Sequence, residues 1–356
     1  MRRIAVLVIL LAAALVAACS EGPTGTPSGG SKQQQDLGGG GGGEAIRIGL
    51  PTAQTSFVNA DLAVAAEKGF FEKQGVSVKV QNFGSGLKVV QAVIAGGVDV
   101  GASSIEPVVT AGARGQPLPI IGAYADRLAV NMVTPRTIAD ARALAGKRLG
   151  IQDVGAFREV MTRLVLQRAK LTPDDVDYRP VESNGYTGAL VAGQIQSGIL
   201  QVEQSVDAMR RERKLHVLAD LYKLEPRYVY GTYFAKQQWL ARNRDRAVKL
   251  LAAITEAHRF MYEHKAETVK IVAEATGFEP AVIEKAYGTL LERNAVFPVN
   301  QGLEPDRLEY TVGRMKELGL LGGGAAPDLS RVVDRGPIDA AVEKLGGPLE
   351  GDERWR

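Results

Sequence analysis

Between Ala45 and Val80 the apolar residues change from alternation to a helical spacing and back, and this limits the chain to a few folds. Ile46, Ile48 and Leu50 alternate with Arg47 and Gly49, as in a strand with one buried face. Pro51 cannot donate to a sheet ladder and stops the strand. Leu62, Ala65 and Ala66 share a helical face, and Gly69 ends that helix. Val76, Val78 and Val80 then alternate again. The unit reads as βαβ. Its loop from Thr52 to Asn59 joins a strand's carboxyl end to a helix's amino end. Open α/β sheets bind small ligands at such loops, where helix N–H groups are unpaired. For a single unit the plainer reading is an ordinary connection.

The pattern repeats. Asn82 to Gly86 is a glycine-rich turn into a helix faced by Val89, Val90, Val93 and Ile94 and ended by Gly96-Gly97. Val98 to Gly101 is a strand with Ser103-Ser104-Ile105-Glu106 at its end, Pro107 suits the next helix's first turn, and a strand from Pro117 leads to Tyr124. This spacing predicts a parallel sheet with helices on both faces. A second β–α series starts at Gly146 to Ile151, with Gln152 to Phe157 as its first loop. It continues through strands at Val176 to Val181, Gly198 to Val202 and Leu215 to Leu218, with helices at Tyr186 to Ala192 and Asp207 to Lys214. Two extended connections, Leu128 to Thr134 and Tyr228 to Ala235, link the series. Residues 45–128 and 229–330 therefore form one lobe and 129–228 the other, with 331–356 a weak terminal helix and charged tail. Lys236 to about Leu321 is nearly all helical. Two crossings permit hinge bending about a cleft that the strand ends of both lobes face.

At the amino end, Arg2 and Arg3 precede an apolar run from Ile4 to Val16, then Ala17, Ala18 and Cys19. A basic start, a short apolar core and small residues form an export signal, too short to span a bilayer. Cys19 is the only cysteine, so no intrachain disulfide exists. Leu15 to Cys19 resembles a bacterial lipobox, which implies removal of residues 1–18 and lipid on the Cys19 thiol. The mature chain is then expected on the outer face of the cytoplasmic membrane. Residues 19–44 are rich in glycine and read as a tether. A net charge of +3 over 356 residues, without a basic stripe interleaved with aromatics, argues against nucleic acid. His216, His258 and His264 show no metal-ligand spacing, and no Gly-x-Ser-x-Gly elbow occurs. The expectation is a monomeric, non-enzymatic chain without a cofactor.

Glu67-Lys68-Gly69-Phe70-Phe71-Glu72-Lys73-Gln74-Gly75-Val76 is similar to a signature of solute-binding proteins of ABC importers, in the branch that takes nitrate, sulfonates, taurine and thiamine precursors. Phe83 to Gly86, Gly96 to Gly101, Leu144 to Gly150 and Ala189 to Ile195 match further segments in the family's order. The resemblance implies an α/β chain of the type II periplasmic-binding-protein fold, with two lobes, a hinge of two crossings and a helical C-terminal segment. It implies a receptor that delivers a sulfonate, a pyrimidine or other heterocycle, or a nitrate-like anion to a permease with an ATPase subunit. A lipid-anchored sensor or scaffold of the same fold is the alternative, and a pyrimidine-synthesising enzyme a lesser one. The chain departs from the pattern in having Glu203-Gln204 where relatives have Glu-Pro, and no hydroxyl in Asp153 to Phe157. Arg158 lies either near the cleft or on a helix surface.

If the loops line the cleft, lobe one offers Gln54, Thr55, Ser56, Phe57, Asn59, Ser85, Ser103, Ser104, Glu106 and Tyr124. Lobe two offers Asp153, Phe157, Asn184 and Glu203, and the return connection Tyr230 and Thr232. Phe57, Tyr124, Phe157 and Tyr230 either stack on a flat ligand or pack in the core. Several desolvated carboxylates in the cleft would disfavour an inorganic anion and favour an amine or heterocycle. Backbone N–H groups can bind anions without a basic side chain, which leaves the anion open.

Overall fold

The computed structural model describes residues 34–38, 43–52, 55–322 and 327–350. The export signal, Cys19 and Gln54 lie outside them. In chain order the elements are β1 (Gln34–Asp36), β2 (Ile46–Leu50), α1 (Asp61–Glu67), α2 (Phe70–Gln74), β3 (Val78–Asn82), α3 (Gly86–Ala95), β4 (Val100–Ser104), α4 (Ile105–Ala113) and β5 (Ile120–Ala125). The chain then crosses to β6 (Val130–Pro135), β7 (Arg148–Ile151), α5 (Phe157–Arg168), β8 (Asp177–Pro180), α6 (Tyr186–Val191), β9 (Ser197–Gln201), α7 (Val202–Arg211), β10 (Leu215–Asp220) and α8 (Leu221–Leu224). It returns through β11 (Gly231–Ala235) to the helices α9 (Gln237–Glu263), α10 (Lys265–Thr276), α11 (Pro280–Tyr287), α12 (Pro305–Glu317), α13 (Leu329–Val332) and α14 (Gly336–Lys344).

Two mixed sheets result, ordered β1-β3-β2-β4-β11-β5 and β10-β6-β9-β7-β8. The expected parallel pairing holds for β2 with β3 and β4, and for β7 with β8 and β9. It fails at β6 and β11, which run antiparallel to their neighbours. Both follow a crossing. A chain that leaves one lobe at a strand's carboxyl end enters the other from the cleft side, so its first strand must run away from the cleft. The registers show this, with Gly231 opposite Ser104 and Val130 opposite Gln201.

Local chemistry explains the helical turn after β2. Gly69 and Gly75 adopt φ of +70° and +68°, where an L side chain is strained, and they bracket α2. Phe71 between them is buried, and Phe70 packs edge-on against Phe260 of α9. Within the glycine-rich segment read as a tether, β1 pairs antiparallel with β3 at the sheet edge. Residues 331–344 are likewise more than a tail, since Ile338, Ala341 and Val342 of α14 are buried in the core that includes α9.

At Gly231 a Cβ would sit 2.1 Å from Cε2 of Tyr124, so the ring lies directly on the returning backbone. Overpacking of this kind costs about 1–3 kcal/mol. Gly231→Ala is expected to lower unfolding stability by that amount in urea titrations, while a wild-type midpoint would refute the close approach.

Candidate functional site

β4 and β9 end in the same way, one in each lobe. Ser104-Ile105-Glu106 turns from β4 into α4, and Gln201-Val202-Glu203 from β9 into α7. The cap residues have nearly identical backbone angles, φ −57° and ψ 156° at Ser104, φ −58° and ψ 156° at Gln201. Each glutamate is thus the second residue of a helix, where unpaired N–H groups and the helix dipole favour negative charge. Each is 1% exposed. Glu106 Oε1 accepts from the Tyr228 hydroxyl at 2.8 Å. Glu203 Oε1 accepts from the Phe57 N–H at 3.1 Å, joining the lobes. The other oxygen of each carboxyl has no hydrogen-bond partner.

Aromatic rings fill the seam beside them. Phe157 stacks on Tyr230 at 4.4 Å, and Tyr230 meets Tyr124 edge-on at 5.9 Å. Gln201 Nε2 donates to the Tyr230 hydroxyl at 2.7 Å. Further buried polar atoms here lack partners, among them Ser103 Oγ and Gln201 Oε1. Leaving one such atom unpaired costs about 1–3 kcal/mol, so their clustering from both lobes marks this seam as the candidate site.

A cavity of about 350 Å³ adjoins this seam. Thr52, Thr55 and Ser56 line it from lobe one; Ser183, Asn184, Thr187, Glu203, Gln204, Asp207 and Arg211 line it from lobe two; and Thr276, Gly277 and Phe278 close one side. A separate cavity of about 110 Å³ holds Ser85, Lys88, Gln152, Asp153 and Glu182, bridged by Gln152 Nε2 donating to Gly84 O at 2.6 Å.

The sequence candidates divide among these places. Thr55, Ser56, Asn184 and Glu203 line the larger cavity, and Ser85 and Asp153 the smaller. Asn59, Ser103, Ser104, Glu106, Tyr124, Phe157 and Tyr230 are buried at the seam. Phe57 contributes its N–H, while its ring packs near Phe297 at 6.2 Å. Thr232 is buried and donates to Ser103 O at 3.3 Å. Arg158 is no surface residue: it is buried, donates to Ile199 O and to Gln204 Oε1, and lies 4.3 Å from the Tyr186 ring. Sequence reasoning missed Gln201, Asp207, Thr276 and Phe278. Gln201 was placed inside a strand, and the Thr276–Phe278 loop lies in a helical stretch with no cleft signal.

Residues 56–268 match the family model described as NMT1/THI5 like. The chain belongs to the NMT1/THI5-like family. YtlA of Bacillus subtilis (strain 168), provisionally named a binding protein, is 25% identical over 256 residues, 68% of this chain and 75% of YtlA. A Candida albicans 4-amino-5-hydroxymethyl-2-methylpyrimidine phosphate synthase is 25% identical over 230 residues, 60% of this chain and 66% of that one. Among solved structures, the nitrate-binding protein NrtA from Synechocystis PCC 6803 aligns with a TM-score of 0.72 at 15% identity, covering 85% of this chain and 89% of NrtA. The alkanesulfonate-binding protein SsuA from Xanthomonas axonopodis pv. citri aligns with a TM-score of 0.66 at 18% identity, covering 83% and 97%. These structures give the periplasmic-binding-protein fold.

In this NMT1/THI5-like chain the seam is short of positive charge. The Arg158 guanidinium is engaged within lobe two, and Arg211 pairs with Asp207 at 2.9 Å. Burial raises the Glu203 carboxyl above its ordinary range, against the pull of backbone N–H groups and the Arg158 charge. Burial raises Glu106 to about 7, with the hydroxyls of Ser104 and Tyr228 opposing. Between an unfolded value near 4.5 and this folded value, Glu106 is protonated in the folded chain and ionised in the unfolded one. Folding therefore takes up a proton, and stability falls as pH rises through that window. The loss expected from this carboxyl is roughly 3 kcal/mol. Urea unfolding from pH 4.5 to 7.5 is expected to show this decline in the wild type and a flatter profile in Glu106→Gln; equal slopes would refute it.

Proposed function

We propose that this chain is the lipid-anchored receptor of an ABC importer, which captures a small organic molecule bearing N–H donors between its lobes and delivers it to a permease and its ATPase. The observation that carries this reading is the seam itself, where Glu106 and Glu203 reach from matching helix starts of opposite lobes with an unpartnered oxygen each. Gln201 Oε1 adds a third free acceptor. A ligand with several N–H groups, cationic or neutral, satisfies them. Nitrate or a sulfonate, the ligands named for the similar structures, would face two buried carboxyls, with Arg158 engaged within lobe two and Arg211 paired with Asp207. The Candida albicans relative is named for an aminopyrimidine phosphate, and the amino group of such a ring has the donor chemistry this surface accepts.

Capture rather than catalysis is favoured by the groups at hand. The seam offers carboxyls, amides and phenols, and the ring nitrogens of His258 are engaged by Asp61 Oδ2 at 3.3 Å and Pro298 O at 2.9 Å. Binding needs no cofactor and one copy of the chain. Export and anchoring at Cys19 place the receptor on the outer face of the cytoplasmic membrane.

Thermal-shift measurements against aminopyrimidines, other amine-bearing heterocycles, nitrate and alkanesulfonates test the ligand class. A ligand at a hundred times its Kd adds about 2.7 kcal/mol, a clear rise in Tm. Only the donor-bearing compounds are expected to give it, and Glu203→Gln is expected to weaken it; stabilisation by the anions alone would overturn the assignment. Separately, Cys19→Ala is expected to move the protein from the membrane to the soluble fraction. Retention of the variant in membranes would refute the lipid anchor.

A further inference from the structure

Both hinge crossings run under one helix. The first crossing passes through Asp126, whose N–H donates to Val296 O at 3.0 Å, and Arg127, which donates to Asn294 O at 3.0 Å. The second passes from Glu225 to Val229. On α12, residues 307, 311 and 314 share one face. Arg307 is nine-tenths buried, and its Nη2 donates to Asp126 O at 2.8 Å and to Pro226 O at 3.3 Å, one carbonyl from each crossing. Its Nη1 lies 3.7 Å from the Asp126 carboxylate. One turn on, Thr311 Oγ1 accepts the Val229 N–H at 2.8 Å. Arg314 then donates to the fully buried Glu225 at 2.9 Å. From the other side Arg227 donates to Asp306 O at 3.0 Å and lies 4.9 Å from the Tyr310 ring.

We infer that Arg307 is a positioning residue for ligand capture, a guanidinium splint that ties the two crossings together so that the lobes close along one path. It touches no atom of the cavity. A guanidinium can do this because its planar fork presents donors in two fixed directions, whereas an ammonium is a single point. With the splint intact, bending at one crossing displaces the other, and the carboxyls of Glu106 and Glu203 approach in one register. Without it each crossing flexes alone and the lobes sample other separations. The inference rests on the capture reading for its purpose, but not for its test.

The test is the ligand-free distance distribution between spin labels at Glu72→Cys and Asp174→Cys, one exposed residue in each lobe, in the full chain carrying Cys19→Ser. The wild type is expected to give one narrow distribution. Arg307→Lys and Arg307→Gln are expected to broaden it and to add longer distances, at temperatures where circular dichroism shows both variants folded. Faster hydrogen exchange at the Val229 amide is expected alongside. A role in stability alone would lower Tm and leave the distribution unchanged, and that result in either folded variant overturns the inference. Thr311→Val gives a second measure, because it frees the Val229 N–H while leaving the guanidinium in place; it is expected to speed exchange there with a near wild-type distribution. If it broadens the distribution as much as Arg307→Lys does, the splint is not the guanidinium. Failure of the capture reading would show instead as no response of the wild-type distribution to added aminopyrimidines.

Discussion

Burying a carboxyl without a full set of hydrogen bonds is costly, and this fold does it on opposite sides of one seam, at Glu106 and Glu203. Glu106 and Glu203 each sit at the second position of a helix that starts directly from a sheet. The helix starts lower the cost of the charge, and Tyr228 and Phe57 each donate to one oxygen. The remaining oxygen of each has no hydrogen-bond partner. Much else in the structure serves to bring these positions together. The sheets present strand ends to the seam, and the crossings let two lobes share it. The aromatic line from Tyr233 through Tyr124 and Tyr230 to Phe157 carries packing from one lobe to the other.

A second buried group secures the loop that supplies Phe57 and Asn59. Asp61, two residues on, accepts from the Tyr233 hydroxyl at 2.8 Å, from the Leu62 N–H at 2.9 Å, and contacts His258. The loop is therefore tied to the return strand and to α9, not only to its own helix. A polar loop at the end of β2 gains its fixed shape from residues far along the chain, which is why the stretch around Ala45 to Val80 could not be judged by itself.

The periodicity of the chain made the strands and most helices legible, because apolar alternation and helical spacing are local properties. Gly69 was legible for the same reason, since a left-handed residue next to a helix end favours glycine; the short helix α2 that follows it, closed by Gly75, was not. What sequence could not supply was direction. Nothing in Val130 to Pro135 or Gly231 to Ala235 distinguishes a strand entering from the cleft, so the antiparallel pairs were missed. Side-chain destination was also hidden. The sequence leaves Arg158 open between the cleft and a helix surface, and the approach of β9 and α6 buries it. The glutamates were recognised as strand-end residues, but their equivalence emerges from matching backbone angles that no motif encodes. Thr276 to Phe278 reach the cavity through the packing of α11 on α7, a contact between segments far apart in sequence.

The central claim is that the two carboxyls jointly hold a donor-bearing molecule. Native mass spectrometry of the protein purified from its host under mild conditions addresses it directly. The account predicts a mass excess over the bare chain, released on denaturation as a small nitrogen-containing compound, and lost from the folded Glu106→Gln, Glu203→Gln double variant. A released sulfonate or nitrate, or the same compound retained in full by the double variant, would contradict it.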